Sequence, residues 1–565
     1  MCYMQLFQKN KASMNFFFYS TYYRSIFYVF IYIFCYSLPS AQASNTIIAT
    51  HYTGNTWAPS FWSNININDV KNDLITIQKN GFNTIILIVP WTGFQLSIEP
   101  IQFIEEYFYL LDRIINIAMN VGMKVILRIG YEHEIGTEIN FVNIHHKISI
   151  FQNSQVLKAW SKYLEKLYNL VKKYKNFIFG FLSWEDFFFI YYTNSNLNTR
   201  TKLSKQIGFQ DYLKKYSIPQ ISAIYEKIYQ NYEDIPIPKI DSPALNIYHQ
   251  FWDQYLLKLI KHSRIYFPKM SMEVRVDCDL FLYSGQRICH ETTFDIANES
   301  EITLIYFSPA WGAANTGDFS TAEEAIKRMI YMIDWVKKYT DNQIFIDQFN
   351  FIDNTPGFSH NTQLLEKEIP EFINQAKLVL SKNTIGYALW TMTDVKANFI
   401  KNGSFERGFS GWQLKKAKLI QNQDKSEKEI ILQNNGQIKQ MVNFGGHVNS
   451  KFEKDGLEFK LDFSAKSQDP KGSFLFVVFK NQSQQHVYSK NIKILPDFLS
   501  TYQLSKIPLF KYNDIILEIE NKQGIIIIDK IELYCIIQEN GIYDVNGSPK
   551  EFSQDIKNLN KYFKK

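Results

Sequence analysis

Acidic residues recur at the C-terminal ends of β-branched and aromatic runs in this chain. "GFLSWED" closes on Glu185 and Asp186, "MSMEVRVD" carries Glu273 and Asp277, and "IFIDQFNF" sets Asp347 beside Gln348. Two carboxyl groups of unequal acidity, held across one bond, supply a proton donor and a nucleophile or base. Tryptophans stand in the same places. Trp57, Trp62, Trp91, Trp184, Trp311 and Trp390 make six of the ten in the chain, too many for all of them to be chance neighbours of the acids. Flat rings stack on sugar faces while carboxylates and amides take up hydroxyls, so the mixture fits a polysaccharide cleft better than a cofactor site.

Such residues need a frame that brings distant segments together. From Thr46 to Asp394 short β-branched runs alternate with long amphipathic stretches: "TIIATHY", "FNTIILIVPW", "MKVILRIGYEHE", "NFIFGFLSWED", "MSMEVRVD", "ITLIYFSPAW", "QIFIDQF" and "TIGYALWTMTD". Eight strands separated by helices predict a (β/α)8 TIM barrel, whose active site lies at the C-terminal strand ends. The helices are legible too. "SQVLKAWSKYLEKLYNLVKKYK" repeats Val156, Trp160, Tyr163, Leu164, Leu167 and Val171 at three- and four-residue steps, and "STAEEAIKRMIYMIDWVKKYT" opens with Ser320 and Glu323 at capping-box spacing. The stretch between Phe187 and Ser263 exceeds one crossover and is expected to wall the barrel mouth.

After Val395 the period changes to two. "LEFKLDFSAKS" sets Leu457, Phe459, Leu461, Phe463 and Ala465 against polar neighbours, and similar runs follow, which predicts an all-β sandwich. A last segment, "NGIYDVNGSPKEFSQDIKNLNKYF", has a turn at Asn546-Gly547 and then Phe552, Ile556, Leu559 and Tyr562 on one helical face. Two placements of this helix stand open: it completes the barrel, or it packs freely on the sandwich.

The N-terminus reads as a targeting segment. Arg24 precedes an apolar run from Ile26 to Cys35 and then Ala41-Gln42-Ala43, a small-x-small cleavage pattern, with Met14 an alternative start. The run is short for a membrane span. Removal of 1–43 takes away Lys9, Lys11 and Arg24, so the formal charge falls from +6 to +3, which offers no electrostatic case for nucleic acid. Export permits disulfides: Cys278 and Cys289 flank a polar loop as a candidate pair, with Cys535 buried and free. Neither CxxC nor HxxxH spacing occurs, so there is no zinc motif, and no cofactor is expected.

Taken together, "GFLSWEDF", "IYFSPAW" and "YALWTMTD" resemble the large clan of retaining glycoside hydrolases built on (β/α)8 barrels, over Thr46–Asp394 and Gly541–Leu559. The resemblance implies Glu185 as acid/base, with Trp184 standing where an asparagine is usual, and Trp390 as the floor of the catalytic subsite. It also implies that "GIYDVNGSPK" follows the eighth strand, so a sandwich resembling jelly-roll carbohydrate-binding modules is inserted between strand eight and helix eight. The domains are then 1–43 signal, 44–397 barrel, 398–537 sandwich and 538–565 returning segment. Modules of that kind imply a structural calcium, with Glu406 and Asp529 as candidate ligands. The expected protein is exported, periplasmic or extracellular, and monomeric, with a polysaccharide or oligosaccharide partner.

One departure from the family bears on mechanism. The seventh strand usually reads Thr-Glu-aromatic-Gly, and the alignment sets Asp347, Gln348, Phe349 and Asn350 against it, so a glutamine occupies the nucleophile's place. Either Asp347 takes over through a bulge at the strand end, or Glu273 or Glu132 serves as a base, or the barrel binds glycan without cutting it. The expected catalytic pair is Glu185 and Asp347. The expected binding residues are Trp57, Trp62, Trp91, His133, Trp184, Glu273, Tyr306, Trp311, Gln348 and Trp390.

Overall fold

The computed structural model describes residues 46–131, 147–187, 196–239, 241–274, 295–296, 298–309, 317–352, 363–405, 408–421, 428–444, 456–496 and 498–564. Eight parallel strands close into a barrel: β1 (Ile47–His51), β2 (Thr84–Val89), β3 (Lys124–Ile129), β4 (Phe177–Ser183), β5 (Met270–Val274), β6 (Ile302–Phe307), β7 (Gln343–Phe349) and β8 (Gly386–Leu389). Each pairs with its neighbours in chain order, and β8 pairs with β1 to close the ring. The strands are mainly apolar because both of their faces are buried, as in "TIILIV" of β2, with polar residues gathered toward their C-terminal ends. Ala49, Ile86, Ile126, Phe181, Leu304, Phe345 and Ala388 fill the interior, and the alternate residues pack outward on the helices. The seam is tight. A Cβ on Gly386 would lie 1.9 Å from the Ile47 carbonyl oxygen, so only glycine lets β8 dock on β1 there.

The outer layer comprises α1 (Ile67–Lys79), α2 (Glu105–Asn120), α3 (Ser154–Val171), α4 (Leu245–Tyr266), α5 (Ala322–Lys337), α6 (Ile369–Asn383) and α7 (Ser553–Phe563) among the described residues. In α3 the buried set includes all six residues of the apolar stripe, and Asn153 caps its first turn. The capping box of α5 lies one residue later than the spacing suggests: Thr321, not Ser320, is the cap, and Glu324 completes it. Ser320 is instead buried in a short strand pair with Leu364. The stretch before α4 forms short helices that are tied to α4 by Phe209 against Tyr248 and Phe251.

Beyond the barrel, nine antiparallel strands build a two-faced sandwich: β9 (Val395–Asn398), β10 (Gln413–Gln421), β11 (Lys428–Asn443), β12 (Phe459–Ser467), β13 (Ser473–Lys480), β14 (His486–Ile494), β15 (Ser500–Ile507), β16 (Asp514–Gln523) and β17 (Ile526–Gln538). The long β11 pairs with β17 through Ile430–Leu432 and with β16 through Gln437–Asn443, so one strand serves both faces. Trp412 is core here, its indole N–H donating to the Asn402 carbonyl. Tyr512 packs half-buried at the core edge.

Two connections hold the sandwich on the barrel. β9 pairs with β17 while the Trp57 N–H donates to the Lys396 carbonyl and the Lys396 N–H to the Asn55 carbonyl. The sandwich core also continues through Val395 and Phe399 to Trp57, Tyr131 and Trp390 of the barrel mouth. The C-terminal helix α7 lies against the barrel: Asn560 accepts from the Tyr387 hydroxyl of β8 and donates to the Asn80 carbonyl after α1. Asp394, just past β8, accepts from the Gly541 N–H and the Lys550 ammonium, which makes it a structural clamp.

The seam yields a stability prediction. Gly386→Ala should cost about 3 kcal/mol or more because backbone must move to admit the methyl group. Gly54→Ala, also at positive φ but with open space around its Cβ position, should cost only about 1–2 kcal/mol. Thermal unfolding midpoints of the two variants check this order, and equal shifts would contradict it.

Candidate active site

Alternation decides which side chains reach the barrel axis. Two residues beyond the interior layer, each strand presents one more inward position: His51, Ile88, Arg128, Ser183, Glu273, Tyr306, Asp347 and Trp390, at the C-terminal mouth. All but Ile88 and Trp390 carry groups that titrate or hydrogen-bond strongly. The site is therefore polar where the layers below are apolar.

Strand β7 carries one residue too many for a regular strand. Ile346 and Phe349 both pack on the helical layer although they are three residues apart. The pairing shows why: Ile346 sits opposite Ile305 and Gln348 opposite Tyr306, so Asp347 is the extra residue of a bulge. Residues paired across a parallel ladder share a face, so Gln348 faces inward with Tyr306. Asp347 faces inward as the second residue after Phe345. The bulge thus places a carboxylate and a carboxamide side by side in the mouth. Both are buried, and the Gln348 Nε2 has no hydrogen-bond partner among the described residues. The disturbed backbone turns the Asp347 carbonyl toward β1, where the His51 Nε2–H donates to it at 2.8 Å. A carbonyl only accepts, so His51 is the Nε2–H tautomer. Burial, with the nearby Arg128 charge, lowers its pKa to about 3.

Arg128 forms the charged centre of the opposite side. Its Nε and Nη2 donate to the two oxygens of Asp186, each at 2.9 Å, and Nη2 reaches Glu185 at 3.2 Å. The guanidinium also lies 4.8 Å from the centre of the Tyr131 ring. Asp186 is fully buried, whereas the Glu185 side chain is 33% exposed. Asp186 therefore neutralises the arginine, and the Glu185 contact with it is longer and more exposed. Next to them Ser183 donates to Glu273, which is fully buried and contributes to holding Arg128 protonated. Ser183 also accepts from the Glu185 N–H at 3.2 Å, which fixes the short helical turn that carries Glu185 past the strand end.

The tryptophans divide. Trp390 and Trp57 are buried at the mouth, Trp390 edge-on to His51 at 4.6 Å and Trp57 edge-on to Tyr131 at 5.9 Å. Trp184 and Tyr306 are half-buried. Trp62 and Trp91 do not belong to a ligand face: both are fully buried between strands and helices. The Trp62 indole N–H bonds the Ile88 carbonyl, and Trp91 bonds Gln95 and packs on Trp160. Phe187 likewise is fully buried in the helical layer, edge-on to Trp160. His133, Trp311 and the alternative base Glu132 lie outside the described residues, as do Cys278, Cys289 and Glu406. Cys535 is free and buried, which pushes its thiol up to about 12. Among the described residues no cluster of three acids, histidines or cysteines forms a metal site, and no helix is long and apolar enough to cross a membrane.

Arg128, His51 and Ser183 were not among the residues that sequence motifs single out. Alternation holds the signal for them: in "KVILRI" Arg128 stands two residues after Ile126, on the axial face.

No protein-family model matches the chain, and no curated protein does. Solved structures are similar to it at low identity. The exo-β-1,4-mannosidase Op5Man5 from Opitutaceae bacterium strain TAV5 is 10% identical over 62% of this chain and 53% of its own, at a TM-score of 0.39. This chain thus spans about half the length of that protein. A GH5_18 protein from Streptomyces cattleya in complex with GlcNAc is 12% identical over 62% and 72%, at 0.39. TmCBM61 in complex with β-1,4-galactotriose is 16% identical over 24% of this chain and 97% of its own, at 0.19.

Two measurements check the electrostatics. Between pH 6.5 and about 5 an unfolded chain protonates His51 while the folded one keeps it neutral, so the unfolded state binds more protons and stability falls as pH falls. The loss is about 2 kcal/mol over that window, and His51→Gln should remove this part of the acid limb in denaturant titrations. Arg128→Met should cost about 3–5 kcal/mol, because it leaves Asp186 charged and buried alone. A cost below about 1 kcal/mol would mean that the pair is not neutralising a buried charge.

Proposed function

We propose that the chain is an exported glycoside hydrolase that cleaves O-glycosidic bonds of a polysaccharide, with Glu185 as acid/base and Asp347 as nucleophile. The observation that carries the reading is that Asp347 is buried and faces the axis in the strand where the resembled clan places its nucleophile, with the β7 bulge setting Gln348 beside it. Glu185 supports it from the facing side, past the end of β4, exposed enough to meet a leaving oxygen. In this mechanism Glu185 protonates the leaving group while the Asp347 carboxylate attacks the anomeric carbon and forms a glycosyl ester. Glu185 then takes a proton from water as that water releases the sugar. Arg128 beside Glu185 favours the carboxylate, the form needed in the second half. Proton delivery in the first half requires that contact to open as a sugar ring and its leaving oxygen enter.

Gln348 then has a distinct part. Its amide donor, buried and without a partner among the described residues, lies next to the nucleophile and suits a sugar hydroxyl. Trp390, Trp57, Trp184 and Tyr306 supply aromatic faces and edges around it, and Glu273 an acceptor. The same glutamine favours a second reading, a barrel that binds glycan without turnover, because an amide cannot form the ester.

The readings separate on turnover. On a panel of β-linked polysaccharides, Glu185→Gln and Asp347→Asn should each lower reducing-sugar release by a factor of at least about 100 while binding persists, and azide should restore part of the Asp347→Asn activity. Binding by the wild type with no release from any member of the panel would establish the second reading.

A further inference from the structure

A second recess lies outside the barrel mouth, where barrel, sandwich and C-terminal segment meet. It has a volume of about 620 Å³, within the range of small-ligand sites, and none of the inward-facing mouth residues lines it. Its floor is apolar: Phe61, Ile77 and Met392 are buried there, with Ile65 half-buried. One wall is the outer face of α1, where Asp69, Asn72, Asp73 and Thr76 recur at helical spacing. The facing wall comes from the sandwich, through Ser404, Asp529, Lys530 and Glu532. The third is the loop after β1, which is held to the C-terminal segment by Asn55 donating to the Val545 carbonyl at 2.9 Å and to the β8 end by Thr393 donating to the Gly54 carbonyl at 2.7 Å.

We infer that this junction is a second carbohydrate site, which takes a short neutral oligosaccharide apart from the one in the barrel. The chemistry selects the class. Carboxylates and amides on the walls accept from and donate to hydroxyls, and the apolar floor suits the C–H face of a pyranose. Four acids, Asp69, Asp73, Asp529 and Glu532, stand against Lys530 among the described lining residues, so phosphates, sulfated glycans and uronates are repelled. A divalent cation is a poor alternative, since no three of these acids converge on one point. The walls are braced before any ligand arrives: the Tyr52 hydroxyl donates to Asp73 at 2.8 Å, and Lys396 and Lys530 both pair with Glu532. The inference shares its ligand class with the proposed function but does not need catalysis.

The test uses the full chain with Glu185→Gln, so that no ligand is consumed, titrated calorimetrically with cellohexaose, mannohexaose and xylohexaose. Two binding sites are expected for at least one of them. Adding Asn72→Trp, at an exposed position on α1 that fills the recess without disturbing the core, should remove one site and leave the other. Asp73→Asn, which keeps the partner of Tyr52, should weaken the same site at least about tenfold. Stoichiometry and affinity unchanged by both substitutions, or no binding at all, would overturn the inference. If binding is abolished entirely by Asn72→Trp, the recess is the sole site, so this inference stands and the barrel reading falls.

Discussion

Every second residue of a barrel strand faces the axis, and whatever chemistry the barrel performs must be written into those positions. Here the rule is broken at the mouth end of β7, while β4 has an irregularity near its start, well below the mouth. The other strands deliver His51, Arg128, Ser183, Tyr306 and Trp390 to the mouth, each two residues beyond an apolar interior side chain, and Glu273 two residues beyond the buried Ser271. The bulge in β7 delivers two consecutive residues, Asp347 and Gln348, where a regular strand delivers one. A strand that keeps its outer face packed, with Ile346 and Phe349 both in the helical layer, has no other way to aim two neighbours inward.

Charge follows from the same geometry. Arg128 lands in a low-dielectric interior, where an unpaired guanidinium is untenable, and the turn after β4 supplies both of its partners. The division of labour between adjacent acids comes from their depth. Asp186 is locked by two bonds and fully buried, and Glu185 keeps a third of its surface. The first neutralises the arginine, and the second lies nearer the opening of the mouth. His51, neutral at ordinary pH, ties the bulged carbonyl to β1 without adding a charge to a mouth already rich in acids.

The barrel was legible in the sequence because its strands are buried on both faces and read as short, mainly apolar runs, and the sandwich because its strands alternate. The positions of Glu185 and Asp347 at strand ends were legible for the same reason. The bulge stood there only as one of several alternatives, since no glycine or proline marks it and its cause is packing on both sides of "IFIDQF". Trp62 and Trp91 misled because a strand-end tryptophan looks alike in sequence whether it turns to the mouth or to the helices. Trp91 follows Pro90 into a helical turn that sends it outward onto Trp160. The shift of the α5 cap from Ser320 to Thr321 reflects a strand pairing with Leu364 more than forty residues away, which no local pattern encodes.

The central claim is that Asp347, facing the axis beside the residue that the β7 bulge adds, is a nucleophile. Incubating the protein with a panel of 2-deoxy-2-fluoroglycosyl fluorides slows hydrolysis of any glycosyl ester, and peptide mass spectrometry then locates the added sugar. The account predicts the label on the peptide containing Asp347, absent from Asp347→Asn. A label on Glu273, or turnover of the panel with inverted anomeric configuration and no label anywhere, would contradict it.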